Sequence, residues 1–203
     1  MSMEINMGKK KKNKEAPAVA PPKMEAPGTY LRENGMLYLN DKFDKETIHP
    51  LVVQIHEYNL MPKELQPEEI WLHINSPGGT VFWAWQLIDA MKSSKIPVVT
   101  IAQGLAASCG VLTLMAGDRR VATHNTSIMS HTYAWGSQGK EGELYAKIKE
   151  YELASGRMLE HYKKCTKKGV KYIRKNLLHP HDEWMTPEEA VTHGIIDEVW
   201  KTY

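Results

Sequence analysis

The chain has 203 residues, 42% of them hydrophobic, which suffices for one domain with a substantial core. Its 26 basic and 24 acidic side chains leave a formal charge of +2, so a globally basic nucleic-acid binder is not indicated. The longest apolar-rich stretch, "GLAASCGVLTLMAG" (104–117), is too short and too interrupted to span a bilayer.

The first 28 residues combine the lysine run "KKKKNK" with Pro- and Ala-rich sequence and lack apolar periodicity. Such a segment cannot bury enough surface to offset its ordering entropy, so residues 1–28 are expected to be a disordered Lys/Pro-rich tail. No continuous apolar segment follows its basic run, so it does not read as a secretory signal. A solvated tail is its simplest role, and contact with nucleic acid or acidic partners is the alternative. Cys109 and Cys165 fit neither a disulfide framework nor a C-x-x-C metal pattern. Reduced thiols in a cytoplasmic protein are expected, with no cofactor and no metal. The folded domain is assigned to residues 29–203, without internal repeats.

"MLYL" (36–39) predicts a short strand. Ile48, Leu51, Val52, Ile55 and Tyr58 share one helical face, and Pro50, which suits a first turn, puts the helix start near Ile48. The run 70–74 alternates little, as in a strand buried on both faces. "NSPGGT" (75–80) is a tight turn into a helix over 81–94 that carries Val81, Ala84, Trp85, Ile88 and Met91 inward. "PVVTIA" (97–102) is the next buried strand, turned by "GLAAS" into the helix "CGVLTLMAG". Strands near 120–122 and 127–130 lead to His131. The repeated strand–turn–helix order describes an α/β fold with right-handed β-α-β crossovers on a mostly parallel sheet.

Residues 138–166 predict a long amphipathic helix with Leu144, Ile148, Tyr151, Ser155, Met158 and Tyr162 in one stripe. Its partner is expected to be a second subunit, with folding back onto its own domain as the alternative. "VKYIRKNL" is a short helix. "TPEEAVTHG" is a capped one, with Thr186 at the N-cap, Pro187 at the first position and Glu189 closing the box. "IIDEVW" is the last strand.

Several residues could carry chemistry. Ser108 stands where a strand gives way to a helix, a position at which serine commonly serves only as a cap. Gly78 and Gly79 form a second backbone-exposing turn at the same sheet edge, where ligands bind in open α/β sheets. The peptide N–H groups of Gly79 and Cys109 could converge on an oxyanion. His131 follows a strand at that edge, and Asp182 precedes the capped helix, where it could equally be a loop aspartate. A serine hydroxyl needs a base, and a neutral imidazole needs an acceptor to fix its tautomer. Ser108, His131 and Asp182 would fill these roles in an order unlike those of the chymotrypsin, subtilisin and α/β-hydrolase groups. Spacing alone does not bring them together.

"INSPGGTV", "GLAASCG", "SIMSHTY", "GSQGKEGEL", "SGRMLEHY" and "DEWMTPEEAVTHGIIDEV" resemble, in order, the proteolytic-subunit family of the ATP-dependent Clp protease. The similarity covers about residues 37–199. It implies a crotonase-like (ClpP-type) fold of stacked β-α-β units with a protruding handle helix, and serine endopeptidase activity on polypeptides. It also implies assembly into heptameric rings, two of them enclosing a chamber fed by an AAA+ unfoldase. By motif, the family nucleophile falls on Ser108, the base on His131 and the orienting acid on Asp182, with oxyanion donors on Gly79 and Cys109. The long helix matches the handle through which one ring engages the other.

Three departures stand out. Cys109 replaces the usual methionine, and Glu183 follows Asp182 where the family usually has an arginine linking ring pairing to triad geometry. The Lys- and Pro-rich tail stands in place of the usual axial-loop sequence. Two other readings remain beside an active peptidase: an acyl-CoA hydratase or isomerase on the same fold, and a non-catalytic ring-forming regulatory subunit. A Ser–Lys peptidase lacks a lysine in a motif that would reach Ser108.

Overall fold

The computed structural model of the protein describes residues 28–134 and 136–200. The tail assigned to residues 1–28 therefore lies, apart from Gly28, outside the described residues. The elements run α1 (Thr29–Glu33), β1 (Met36–Leu39), α2 (Lys45–Leu60), β2 (Ile70–Ser76), α3 (Val81–Ser93), β3 (Val98–Ala107) and α4 (Cys109–Met115). They continue with β4 (Arg119–Thr123), β5 (Ser127–Ser130), α5 (Glu141–Thr166), α6 (Val170–Asn176), β6 (Glu183–Met185), α7 (Pro187–His193) and β7 (Glu198–Trp200).

Strands β1-β2-β3-β4-β7 form a parallel sheet in that order. The second half of β3 leaves β4 and pairs in parallel with β5, through Leu105↔Ser127, Ala106↔Ile128 and Ala107↔Met129. β6 then runs antiparallel to β5. The α/β class and the mostly parallel sheet match the sequence reading, and so does the crotonase-like arrangement of strand–helix units.

The core lies mainly between helices and one sheet face. Ile48, Leu51, Val52, Ile55 and Tyr58 of α2 are all buried in it, the face read from the sequence. On β2, buried Ile70, Leu72, Ile74 and Ser76 alternate with half-buried Trp71 and His73 and exposed Asn75. The expectation of burial on both faces thus fails for this strand. Among the described residues the other sheet face carries a small cluster of Val99, Ile101 and Val121, against which Trp71 and Trp200 pack.

Local chemistry accounts for the other differences. α2 begins at Lys45, not Ile48, because the Asp44 carboxylate accepts the Thr47 N–H at 3.0 Å and caps the helix earlier. Pro50 therefore sits inside α2, on its exposed side, where water can serve the carbonyl that proline leaves unpaired. β3 runs on through "GLAA" to Ala107, because β5 supplies a new partner where β4 stops. Gly104, at φ 84°, sits at that change of partner. α5 starts at Glu141, with the Glu143 carboxylate accepting the Lys140 N–H at 3.2 Å. Neither α1 nor β6 is anticipated by the sequence reading. Among the described residues no helix is long and apolar enough to cross a membrane.

Candidate active site

β3 delivers Ser108 to the point where α4 begins. Its N–H donates to the Met129 carbonyl at 2.9 Å, extending the β3–β5 ladder by one more bond. Its φ of 54° and ψ of −113° are sparsely populated for a residue with a Cβ, a strain of about 1–3 kcal/mol. The Ser108 side chain does not cap α4. Its Oγ lies 2.9 Å from Nε2 of His131 instead. A cap has no use for that contact; a hydroxyl that must lose a proton does.

His131 follows β5 and is anchored from both sides. The Ser130 hydroxyl donates to the Leu177 carbonyl at 2.7 Å and meets the Tyr162 hydroxyl at 2.6 Å. With its own hydrogen given to Leu177, Ser130 accepts from Tyr162, whose full burial raises the phenol pKa and keeps it a donor. The Thr132 N–H donates to the His179 carbonyl at 2.8 Å. The imidazole is half-buried between these ties.

The Gly78–Gly79 turn is built against the same spot. The Gly78 carbonyl accepts the Phe43 N–H at 2.8 Å, and the Thr80 N–H donates to the Phe43 carbonyl at 2.9 Å. In a trans peptide the N–H points opposite to the carbonyl, so the Gly79 N–H is turned away from Phe43. The Cys109 N–H, at the first position of α4, has no partner within the helix. The Cys109 thiol donates to the Gly79 carbonyl at 3.2 Å, tying the two donor segments together. Burial pushes that thiol up to about 11, so at neutral pH it is a protonated packing group and not a nucleophile.

Room for a Cβ is missing at both glycines. At Gly78 it would lie 2.8 Å from the Ser108 Cβ and 2.9 Å from the Ala107 carbonyl oxygen. At Gly79 it would lie 2.6 Å from the Phe43 nitrogen.

Asp182 is placed less tightly. The β5–β6 register pairs Ser130 with Glu183, so its next step sets Asp182 across from His131. Its carboxylate is nevertheless exposed, and it makes no hydrogen bond or ion pair with another described residue. The structure therefore brings Ser108, His131, Gly79 and Cys109 together and leaves Asp182 beside them but unengaged.

A cleft of about 180 Å³ opens over this group, walled by Val81, Phe82, Tyr133 and Met158. A larger cavity of about 620 Å³ is lined by Trp85, Lys92, Arg120 and His161 and includes none of the candidate residues. The small cleft offers a hydroxyl against an imidazole and two free peptide N–H groups, the parts that acyl transfer requires.

The Clp protease family profile matches residues 25–203 of the chain. The "ATP-dependent Clp protease proteolytic subunit" of Deinococcus radiodurans is 30% identical over 171 residues, covering 83% of this chain and 81% of that protein. The chain belongs to the Clp protease family. As a Clp-type proteolytic subunit it is a serine peptidase, and the acyl-CoA reading loses its footing.

Some supports of this Clp-type site escape sequence reading. Gly78 leaves Ser108 the space that a Cβ would take, Phe43 pins the glycine turn, and Ser130 with Tyr162 anchors the strand that leads to His131. Tyr162 was visible as a member of a helical stripe, but nothing in its spacing ties it to Ser130. Phe43 carries no motif at all.

Proposed function

We propose that this Clp-type peptidase cleaves peptide bonds with Ser108 as nucleophile, His131 as general base and then general acid, and Asp182 as the group that orients the imidazole. The observation that carries this reading is the 2.9 Å contact between Ser108 Oγ and His131 Nε2, made by a serine held at φ 54°. As Ser108 Oγ attacks the scissile carbonyl, its proton passes to His131 Nε2. The Gly79 and Cys109 amides receive the oxyanion, and loss of one such donor costs about 3–4 kcal/mol of transition-state stabilisation in other enzymes. His131 then protonates the leaving amine, and water repeats the sequence to release the acyl group.

The substrate is an extended polypeptide added along the sheet edge near the Gly-rich segments 78–79 and 134–139. The subunits close into heptameric rings, one or two stacked, whose contacts include the exposed half of α5. An AAA+ unfoldase supplies substrate, as the "ATP-dependent" name of the Deinococcus radiodurans relative suggests. The unpaired thiols of Cys109 and Cys165 suit the cytoplasm.

The test is direct. Peptide hydrolysis and labelling by a fluorophosphonate should both vanish in Ser108→Ala; hydrolysis that survives this change refutes the assignment.

The unengaged Asp182 favours a second reading, in which the isolated chain is inactive and assembly, with itself or with a paralogous subunit, seats the carboxylate on His131. Sedimentation combined with peptide turnover separates the cases. Turnover that rises only as rings form supports it, and equal turnover by the monomer removes it.

A further inference from the structure

We propose that His179, His181 and Glu183 form a binding site for one divalent transition-metal ion of the zinc class, and that the ion holds the peptidase in a less active arrangement. The segment reads "HPHDE" (179–183), with potential ligands at every second residue. Their ligand atoms all lie within 4.8 Å of one another, the one such group of three His, Cys, Asp or Glu among the described residues. The imidazoles of His179 and His181 stack with centroids 4.5 Å apart and 23° between planes. His181 Nε2 lies 3.7 Å from a Glu183 carboxylate oxygen.

Bonds of about 2.0–2.2 Å in a tetrahedral shell put ligand atoms roughly 3.3 Å apart, so small side-chain rotations close the site. Two imidazoles and one carboxylate, with water in the fourth position, suit zinc and its late first-row neighbours rather than calcium or magnesium. Pro180 sits between the histidines and limits the backbone freedom lost on binding.

The site lies across the segment that carries Asp182. The His179 carbonyl holds the Thr132 N–H, and Glu183 pairs with Ser130, so both ends of the chelate are fixed to the strand bearing His131. Asp182 falls inside the chelate loop. An ion bound to residues on either side of it fixes the segment as it stands, with the Asp182 carboxylate in solvent and not on the imidazole. The inhibitory half of the proposal rests on the orienting role given to Asp182 above; the binding half does not.

Binding is measured on the full Ser108→Ala chain, titrated with Zn²⁺ by calorimetry and with Co²⁺ by visible absorption. The expected result is one ion per chain with a tetrahedral Co²⁺ spectrum. Affinity should fall by about tenfold or more in His179→Gln and in His181→Gln, and stay unchanged in Cys165→Ser. Absence of stoichiometric binding, or binding indifferent to both histidine replacements, overturns the site. On the active chain Zn²⁺ should lower peptide turnover, a chelator should restore it, and His181→Gln should lose zinc sensitivity relative to its own metal-free rate. Inhibition that persists in His181→Gln overturns the control, because the ion then acts elsewhere, His131 included. Asp182→Asn separates the two readings: full activity there removes the orienting role while leaving the calorimetric result intact.

Discussion

The serine at φ 54° sits against Gly78, where an added Cβ would lie 2.8 Å from the Ser108 Cβ. A methyl group at Gly78 has to displace Ser108 or the Ala107 carbonyl, and its φ of 97° adds backbone strain for any L side chain. Gly78→Ala is therefore expected to lower kcat/KM by about 100-fold, the scale of a displacement near 1 Å at a reacting centre. Fluorophosphonate labelling should slow in parallel while circular dichroism stays native. Cys109 gives the opposite expectation, because its thiol serves packing. Its raised pKa, about 11, leaves it protonated and unreactive to iodoacetamide at pH 8 until the chain unfolds. For a thiol the elevated folded value favours the neutral form, so this contribution to stability is whole below about pH 8.5 and fades as pH rises toward 11.

At this scale the sequence was most legible where a residue type is chemically irreplaceable. Ser108, His131 and the two glycines stood out in motifs, and they meet. That a Cβ at Gly78, and not at Gly79, would crowd Ser108 was not legible, because the two glycines look alike in the sequence. In "HPHDE" the sequence reading uses Asp182 and Glu183 and passes over the two histidines, since it seeks metal spacings among cysteines.

Among the elements, those with strong local signals came through with their bounds nearly intact. α7 has its capping box at Thr186 and Glu189 as expected, and β1 coincides with "MLYL". Elements defined by a partner did not. β3 outruns its apolar run because β5 is waiting for it, and the three-residue β6 exists only through pairing with β5. The C-terminal elements are held by Arg120. It donates to the Cys165 carbonyl at 3.2 Å, to the Gly194 carbonyl at 3.0 Å and to both oxygens of Asp197. Arg120→Ala strands these acceptors and should destabilise the fold by roughly 2–3 kcal/mol in urea unfolding. Burial alone would raise the Asp197 carboxyl, but the hydrogen bonds from Arg120 hold it below its usual value. A depressed acid stabilises above its unfolded pKa and loses that contribution as pH falls through the folded value. The urea midpoint should therefore drop as pH falls below about 4, and Asp197→Asn should flatten that drop.

For the whole molecule the informative feature is α5, 26 residues and about 39 Å long. Its C-terminal half is seated by Ala154, Met158, Tyr162 and Thr166. Its N-terminal half leaves Tyr145 66%, Ile148 45% and Leu153 56% exposed. Folding back onto its own domain thus describes the C-terminal half, and packing against a second subunit is the proposal for the other. The buried half folds back on its own domain, and among the described residues the other half keeps these three side chains open to water. Tyr145→Glu with Ile148→Glu should leave circular dichroism and thermal stability nearly unchanged, since both residues face water. The same double change should shift sedimentation toward smaller species; if assembly is unaffected, this half of the helix is not a contact.

The pairing of Leu105–Ala107 with Ser127–Met129 has a consequence for how the enzyme fails. Hydroxyl and imidazole ride on adjacent threads of one woven fabric, so loosening of a surface segment does not part them. Heat or denaturant must tear the weave itself before these two side chains separate. The carboxylate stands just ahead of a three-residue hem at the border, and under the role proposed for Asp182, wear there would keep it off the imidazole while the rest of the cloth is still whole.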